Sequence, residues 1–234
     1  AAAARVLDRA GFEVVAAAGE RCCGALVHHM GREAEALAAA RRNVDAWSRL
    51  IDSGGLDAIV VTASGCGTTV KDYGFMLRDN PDYARKAARV SELAVDVSEF
   101  LARQELPPGD GRGVSVAYHS ACSLQHGQKV TAAPQRLLAA AGYEVRIADE
   151  SHLCCGSAGV YNLLQADIAS RLGDRKAEHL GRLGADVIAT GNIGCATQIA
   201  ARLDTPVVHT IELLDWASGG PTPPAIERTG IPRR

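Results

Sequence analysis

Four of the seven cysteines in this 234-residue chain form two adjacent pairs, each followed by glycine. Residues 22–24 and residues 154–156 both read C-C-G, and the remaining cysteines stand singly at Cys66, Cys122 and Cys195. An odd number of cysteines cannot all pair with one another, and clustered thiols outside an oxidising compartment are more often metal ligands or redox groups than structural disulfides. Thiolates are soft ligands that suit zinc or an iron–sulfur cluster.

The spacing of these cysteines favours a cluster over a single ion. The second set reads C-x31-C-C-x39-C and the first reads C-C-x42-C, so the short C-x2–4-C spacing of most zinc sites is absent. Two adjacent thiolates reach different atoms of a larger cluster more easily than they reach one small ion. The alternatives that remain open are structural zinc in one set, buried cysteines that only pack, and a strained vicinal disulfide. The predicted metal ligands are Cys122, Cys154, Cys155 and Cys195, with Cys22, Cys23 and Cys66 as a second set.

Glycines and histidines accompany the cysteines. Gly24 and Gly156 follow the pairs, and Gly65 and Gly194 precede the last cysteine of each set. Glycine permits a positive φ and lets the backbone approach a bulky ligand, and backbone N–H groups near cluster sulfurs tune its potential. Each histidine near a cysteine is either a ligand, a proton carrier or a polar loop residue; these are His28, His29, His119, His126 and His152, and we predict His119 to help bind the cofactor. His179 and His209 have no cysteine nearby in sequence, and we expect structural roles for them.

The chain is predicted to be an internal duplication. R-V-L-D-R-A-G-F-E-V-V at residues 5–15 matches R-L-L-A-A-A-G-Y-E-V-R at residues 136–146. Gly11 and Gly142 lie 131 residues apart, Cys22 and Cys154 lie 132 apart, and Cys66 and Cys195 lie 129 apart. In each copy we expect a helix ending at the glycine, a β-type run, the C-C-G, a long helix and a buried strand before the last cysteine.

Alternation of strands and helices predicts an α/β fold with two tandem homologous units, each a mainly parallel sheet flanked by helices. Because sites in such sheets form at the carboxyl ends of strands, we expect the cysteines to lie there. The predicted boundaries are 1–103 and 114–217, with a linker at 104–113 and a flexible tail at 218–234. A leading strand at 114–120 delivers Cys122 in the second unit and has no counterpart in the first.

Composition excludes several functions. The net charge is −2, so no basic field attracts nucleic acid. No apolar run approaches the roughly 20 residues that a membrane helix needs, and no signal peptide is visible, so a cytoplasmic protein is expected. S-G-C-G-T-T-V at residues 64–70 lacks the G-K-[ST] ending of a P-loop, and no Ser/His/Asp arrangement is persuasive.

Longer stretches carry a family resemblance. They are C-C-G-A-L-V-H-H, R-R-N-V-D-A-W, V-T-A-S-G-C-G-T-T-V-K-D-Y-G, Y-H-S-A-C-S-L-Q-H-G-Q-K, H-L-C-C-G-S-A-G-V-Y-N-L-L-Q and A-T-G-N-I-G-C. The duplicated pattern resembles the cysteine-rich CCG domain of heterodisulfide reductase B subunits and of complexes that oxidise lactate and glycolate. These stretches narrow the resemblance to the glycolate oxidase iron–sulfur subunits.

The resemblance implies a role in electron transfer. Family members carry electrons from a separate FAD-containing subunit that oxidises glycolate, through [4Fe-4S] clusters, toward a membrane acceptor. It implies an oxidoreductase subunit that is not itself catalytic and that attaches peripherally to the inner membrane through its complex. Family members also have an upstream ferredoxin-like domain, and because the chain opens inside a helical pattern without Met, we expect it to be the C-terminal half.

Two departures from related proteins bear on the cofactor. Heterodisulfide-reductase-type units end in C-x-x-C, and here Ala63 and Asn192 stand where the first of those two cysteines would be. Four ligands in the second unit favour an ordinary four-cysteine cluster over a larger one, and the first unit has only three. The rival functions are a thiol–disulfide reductase and a zinc-stabilised assembly scaffold.

Overall fold

The computed structural model describes residues 1–111 and 113–231, and the chain divides into two compact units. The smaller unit is the continuous segment Val15–Asp96. The larger unit combines Ala1–Val14 with the chain from Val97 onward. The larger unit is therefore discontinuous in sequence, and the smaller one is inserted into it.

The smaller unit packs helices around two short parallel strands. Its helices are α2 (Ala25–His29), α3 (Glu33–Ser53), α4 (Ser64–Lys71), α5 (Tyr73–Met76) and α6 (Ala84–Leu93), and its strands are β1 (Ile59–Val61) and β2 (Ala94–Asp96). Ile59 pairs with Ala94, and Val61 pairs with Asp96. Buried apolar side chains from α3, β1, α4 and α6 form its core, among them Val44, Ile59, Val70 and Val90.

The larger unit is built on a four-stranded parallel sheet. Its strands are β3 (Ser115–Tyr118), β4 (Glu144–Ile147), β5 (Val187–Thr190) and β6 (Val207–His209). The helices are α1 (Ala2–Arg9), α7 (Val97–Leu101), α8 (Ala133–Ala140), α9 (Tyr161–Leu164), α10 (Ala166–Gly181), α11 (Ile193–Ala200), α12 (Thr210–Ala217) and α13 (Pro224–Glu227), with a π-helical turn at Ser123–Gly127.

The strand order in this sheet is β4-β3-β5-β6. Every residue of the central strands β3 and β5 is buried, which is the burial expected of parallel strands covered on both faces. The edge strand β4 is only partly buried. All four strands run parallel, so their carboxyl ends lie at one edge of the sheet. The predicted α/β class with helix-flanked parallel sheets is confirmed.

The two copies of the repeat end their leading helices in the same way. Gly11 after α1 and Gly142 after α8 have φ of +86° and +93°. In both, the amide of the following aromatic residue reaches back to the helix, Phe12 N–H to Leu7 O at 3.0 Å and Tyr143 N–H to Leu138 O at 3.2 Å. This is the Schellman arrangement, in which a left-handed glycine closes the helix.

The β-type run that follows forms a strand in only one copy. β4 follows Gly142 and pairs along its whole length with β3. The matching run after Gly11 forms no strand within the described residues, and Val14 and Val15 are about half exposed. A strand needs a partner for its backbone groups, and among the described residues no strand pairs with this run.

The compact units differ in their boundaries from the repeat units expected at 1–103 and 114–217. Helix α1 belongs with α12 in the larger unit, where Arg5 and Arg9 both pair with the buried carboxylate of Asp215. Phe12 also packs edge-on against Phe100, with ring centroids 4.9 Å apart. A buried carboxylate requires such partners, so this contact determines where α1 lies.

The segment expected to be a flexible tail, 218–234, contains α13. Proline at the start of this helix presets its φ, and Ile226 within it is fully buried. Buried residues, Pro223 and Ile226 among them, therefore anchor a proline-rich segment that has no apolar periodicity. Residues 232–234 of the expected tail, and residue 112 of the expected linker, lie outside the described residues.

Candidate functional site

Three neighbouring strands of the larger unit deliver four cysteines to one edge of the sheet. Cys122 follows β3 and directly precedes the π-helical turn, a local geometry that is frequent at functional sites. Cys154 and Cys155 lie in the loop after β4, and Cys195 lies in the first turn of α11 after β5. The sequence-predicted second set is thus brought together, as strand-end placement requires.

The four thiols form a chain of contacts from Cys122 through Cys154 and Cys155 to Cys195. The Sγ atoms of Cys155 and Cys195 are 3.3 Å apart. Cys154 is hydrogen-bonded on one side to Cys122 and on the other to Cys155. Cys155 and Cys195 are buried, whereas Cys122 and Cys154 are partly exposed. The group therefore has an enclosed side within the apolar core and a side that opens to solvent.

The glycine of each C-C-G is required by backbone geometry. Gly156 has φ of +91°, and a Cβ placed there would lie 2.3 Å from Ala169 O of α10. Gly24 has φ of +82°, and a Cβ there would lie 2.9 Å from the Cβ of Ala39 of α3. Both pairs thus sit on a left-handed turn pressed against a helix, and the Gly156 N–H points back to Cys154 Sγ at 3.3 Å.

Asn192 and Gly194 position Cys195. The Asn192 side-chain oxygen accepts hydrogen bonds from Gly194 N–H and Cys195 N–H, so it caps α11 at its N-terminus. A Cβ at Gly194 would lie 2.8 Å from Ser157 Oγ. The residue that replaces the C-x-x-C cysteine therefore has a structural role of its own. In the other copy Ala63 precedes α4 without a side-chain cap, and Gly65 O accepts a bond from Thr69 Oγ1 at 3.3 Å.

His119 lies beside the enclosed thiols. Its ring nitrogen and the sulfurs of Cys155 and Cys195 all lie within 4.8 Å of one another, and all three residues are buried. The backbone N–H of His119 donates to Ala189 O at 2.9 Å. This bond continues the pairing of β3 with β5 and fixes the position of His119. Within the described part of the chain, His119 Nε2 has no hydrogen-bond partner. A buried nitrogen without a partner, on a ring that lies beside thiols, is the feature expected where a group binds.

Hydrogen bonds among the thiols separate their pKa values. The pKa of Cys195 is lowered to about 6, mainly because the Cys155 thiol donates to it and secondarily because of His119. The pKa of Cys154 is lowered well below its usual range by bonds from Cys122 and then Cys155. The same bonds, together with burial, raise the pKa values of the donors Cys155 and Cys122. The arrangement thus favours the thiolate form of Cys154 and Cys195, the form in which cysteine binds metals.

The smaller unit gathers the first set in a similar way, with three thiols. Cys23 is buried, Cys22 is exposed, and Cys66 lies in the first turn of α4. Cys23 is hydrogen-bonded to both of the others. The pKa of Cys66 is lowered to about 7 by the bond from Cys23, whose own pKa is raised.

Two residues that sequence reasoning did not single out hold the first pair in place. Tyr73 Oη donates to Cys23 O at 2.8 Å, and Asn43 Nδ2 donates to Tyr73 Oη at 3.0 Å. Asn43 Oδ1 in turn accepts from Arg21 N–H at 2.8 Å. Burial raises the pKa of Tyr73 above its usual value. A polar residue inside an otherwise apolar helix face, at Asn43, is the signal in the sequence that could have identified this network.

The remaining histidines have local roles. His126 Nε2 contacts His152 O at 3.1 Å, which ties the π-helical turn to the second cysteine loop. His209 caps α12 by accepting from Ile211 N–H at 3.1 Å, and His179 pairs with Glu150 at 3.1 Å. His28 and His29 lie in α2 with ring centroids 6.1 Å apart.

Comparison with known proteins identifies the family. The cysteine-rich domain model named CCG matches residues 1–71 and 116–200, and these two ranges contain all seven cysteines. The chain belongs to this family of cysteine-rich domains. The two matched ranges correspond to the two copies of the internal repeat.

Curated relatives include subunits of oxidoreductases. The chain is 44% identical over 218 residues to the "Glycolate oxidase iron-sulfur subunit" of Escherichia coli (strain K12), covering 93% of this chain and 53% of that protein. It is 32% identical over 224 residues to a subunit of the CoM/CoB fumarate reductase of Methanothermobacter marburgensis, covering 91% and 42%. It is 26% identical over 222 residues to the "Lactate utilization protein A" of Bacillus licheniformis, covering 92% and 91%.

The chain spans about half the length of the glycolate oxidase subunits that it matches, 53% for Escherichia coli and 51% for Bacillus subtilis. The longest helix, α3, has 21 residues and carries charged side chains throughout. Over the described residues, no helix combines the length and apolar character needed to cross a membrane.

Proposed function

We propose that this chain is the electron-transfer part of an iron–sulfur subunit in a flavin-linked complex that oxidises glycolate or a related 2-hydroxy acid. The observation that carries the proposal is the meeting of Cys122, Cys154, Cys155 and Cys195 at one sheet edge. The 44% identity to a glycolate oxidase iron–sulfur subunit supports the assignment of the substrate class.

The residues present fit an iron–sulfur cluster. Four soft thiol donors converge, two of them with lowered pKa values, and the buried His119 ring lies beside two of them, with its Nε2 lacking a partner in the described residues. When bound, a [4Fe-4S] cluster would accept and release one electron at a time. The adjacency of Cys154 and Cys155 favours a cluster over a single zinc ion, since neighbouring residues reach different atoms of a larger group.

The protein would supply the cluster with ligands, with surroundings from which water is excluded, and with hydrogen bonds. Ala121, Leu124, Ile188 and Ile199 surround Cys155 and Cys195, so water is excluded from that side and local electrostatic effects are strengthened. The Gly156 N–H directed at Cys154 Sγ provides a hydrogen bond of the kind that tunes cluster potentials. Cys122 and Cys154 form the side nearest to solvent, which offers a route for electrons to enter or leave.

The occupant of the first cysteine set is proposed separately. Cys22, Cys23 and Cys66 supply three thiol ligands, and Tyr73 and Asn43 fix the backbone of the pair. A four-coordinate group bound there needs one ligand from another segment or a partner. We propose that it is either completed in that way or holds no cluster, and zinc is the alternative occupant.

The partners proposed are the FAD-containing subunits of the complex and a ferredoxin-like domain of the full-length protein. Oxidation of the 2-hydroxy acid would take place at the flavin, so this chain would not itself be catalytic. Electrons would pass through it toward a membrane acceptor, with the complex in the cytoplasm or peripheral to the inner membrane.

The test is metal analysis of the anaerobically purified protein together with EPR spectra after reduction. We expect iron and sulfide, a reduced-cluster signal, and loss of that signal in Cys155→Ser. Cys22→Ser changes the other set, so a signal that this variant retains and that Cys155→Ser loses belongs to the second set. Stoichiometric zinc without iron, or a signal unchanged in Cys155→Ser, would refute the proposal and favour an assembly scaffold. Turnover of a disulfide by the protein would instead favour a thiol–disulfide reductase.

A further inference from the structure

A buried lysine lies on the helix that supports the second cysteine pair. Lys176 of α10 is 3% exposed, and its Nζ donates to Glu150 O at 2.7 Å. Ala169, Gly173, Lys176 and Leu180 lie on the buried face of α10. Ala169 on this face contacts the turn at Gly156, so Lys176 points to the same side of the helix as the cysteine loop.

The first copy has an uncharged residue in the equivalent place. In the smaller unit Ala36 of α3 approaches the C-C-G glycine, with its carbonyl oxygen 3.4 Å from the position of a Cβ at Gly24. Asn43 follows Ala36 by seven residues, just as Lys176 follows Ala169 by seven. Asn43 is 1% exposed and is also bound to the loop that carries the cysteine pair. The position seven residues after this helix contact thus holds a neutral amide in one copy and an ammonium in the other.

The electrostatic surroundings of Lys176 include the thiols. Burial lowers the pKa of Lys176, whereas Cys155, Glu150, Cys154 and Cys195 act to raise it. The Glu150 carboxylate is itself engaged by Arg175 and by His179. Lys176 is buried on the face of α10 that contacts the cysteine loop, and its Nζ donates to the backbone carbonyl of Glu150 rather than to the carboxylate.

Holding the cysteine loop in place does not require a charged side chain at Lys176. Glu150 O already accepts from Leu153 N–H at 3.0 Å, and Gln125 Nε2 holds Ser151 O at 3.2 Å. The first copy shows that a neutral amide can hold the equivalent loop. A buried ammonium is costly unless nearby negative charge compensates for it, and a cluster ligated by four thiolates would supply that charge.

We propose that Lys176 raises the reduction potential of the metal group held by the second cysteine set. Reduction adds one negative charge to the group, and a fixed cation in a low-dielectric interior stabilises the reduced form more than the oxidised form. Lys176 is a positioning and tuning residue rather than a ligand. This inference rests on the proposed function, because it requires a reducible group at the site.

The test is a redox titration followed by EPR on the anaerobically purified protein. Lys176→Gln removes the charge and keeps a hydrogen-bond donor, and we expect a lower reduction potential with the iron content and melting temperature preserved. Lys86→Gln removes one exposed positive charge and is the matched control; we expect it to leave the potential unchanged.

The outcomes separate the inference from the proposed function. An unchanged potential in Lys176→Gln with iron retained would overturn the inference alone. If Lys176→Gln loses iron, Lys176→Asn, which copies the side chain of the first copy, is titrated instead. Loss of iron from both variants would assign Lys176 to holding the loop and would also overturn the inference. A wild-type protein without a reducible group would overturn the proposed function together with it.

Discussion

Replacing Gly156 with alanine tests the geometry of the second C-C-G directly. The residue combines a left-handed backbone, φ +91°, with a very close approach of a helix, because a Cβ would lie 2.3 Å from Ala169 O. Gly184 provides a matched control in the same unit. Its φ is +55°, and nothing lies within 4 Å of a Cβ placed there.

The two substitutions separate backbone strain from steric overlap. A left-handed backbone costs an alanine about 1–2 kcal/mol relative to glycine, and both variants incur this cost. Overpacking against a backbone carbonyl adds about 1–3 kcal/mol, and only Gly156→Ala incurs it. We therefore expect a loss in the free energy of unfolding of about 2–5 kcal/mol for Gly156→Ala and about 1–2 kcal/mol for Gly184→Ala.

The assay is urea unfolding of the metal-free protein, followed by circular dichroism, with the free energies compared at equal slopes. The same preparations are then tested for iron uptake, which we expect Gly156→Ala to impair because the turn carries Cys154 and Cys155. Equal destabilisation by the two variants would show that Ala169 does not press on the turn, and would refute the packing argument.

Three further substitutions test other parts of the structure. Tyr73→Phe leaves the carbonyl of Cys23 without its donor and should lower the free energy of unfolding by about 1–3 kcal/mol in thermal or urea melts. Asn192→Ala removes the cap of α11, which should cost about 1 kcal/mol and reduce the iron bound through Cys195, measured by metal analysis. Burial alone would raise the pKa of Asp215, but bonds from its two arginine partners lower it below its usual value, so its carboxylate stabilises the fold above pH about 3.9. The stability difference between wild type and Asp215→Asn should therefore shrink as the pH falls through the lowered pKa, and a difference independent of pH would contradict this assignment.

The chemistry-bearing part of the fold could be predicted from the sequence because it depends on local rules. Buried apolar runs indicate parallel strands, and parallel strands present their carboxyl ends at one edge. Cys122 and Cys195 each follow such a run, and Cys154 and Cys155 follow the partly buried strand β4, so their meeting follows from topology. The left-handed turns at Gly24 and Gly156 follow from the same repeat.

The remainder depends on contacts between residues far apart in sequence. The assignment of α1 to the larger unit rests on Asp215, whose partner Arg5 is 210 residues away. Composition suggested a loose tail, yet Pro223 and Ile226 are buried at α13. Asn43 and Lys176 are polar residues on otherwise apolar helix faces, but the sequence does not show which turn each of them faces. The periodicity of apolar residues predicts which face of a helix is buried. It does not predict which buried polar residue must hydrogen-bond to a neighbouring loop.

The pairing of α1 with α12 has a consequence for the order in which the chain folds during synthesis. At a synthesis rate of about 5–20 residues per second, the 210 residues between Arg5 and Asp215 take roughly 10–40 s to appear. The inserted segment Val15–Asp96 is complete long before then and can begin to fold as a unit. Val6 and Leu7 of α1 are buried in the folded protein. Throughout that interval α12, which packs against α1, has not yet been synthesised. Helix α1 is therefore made well before α12 and reaches these native contacts late.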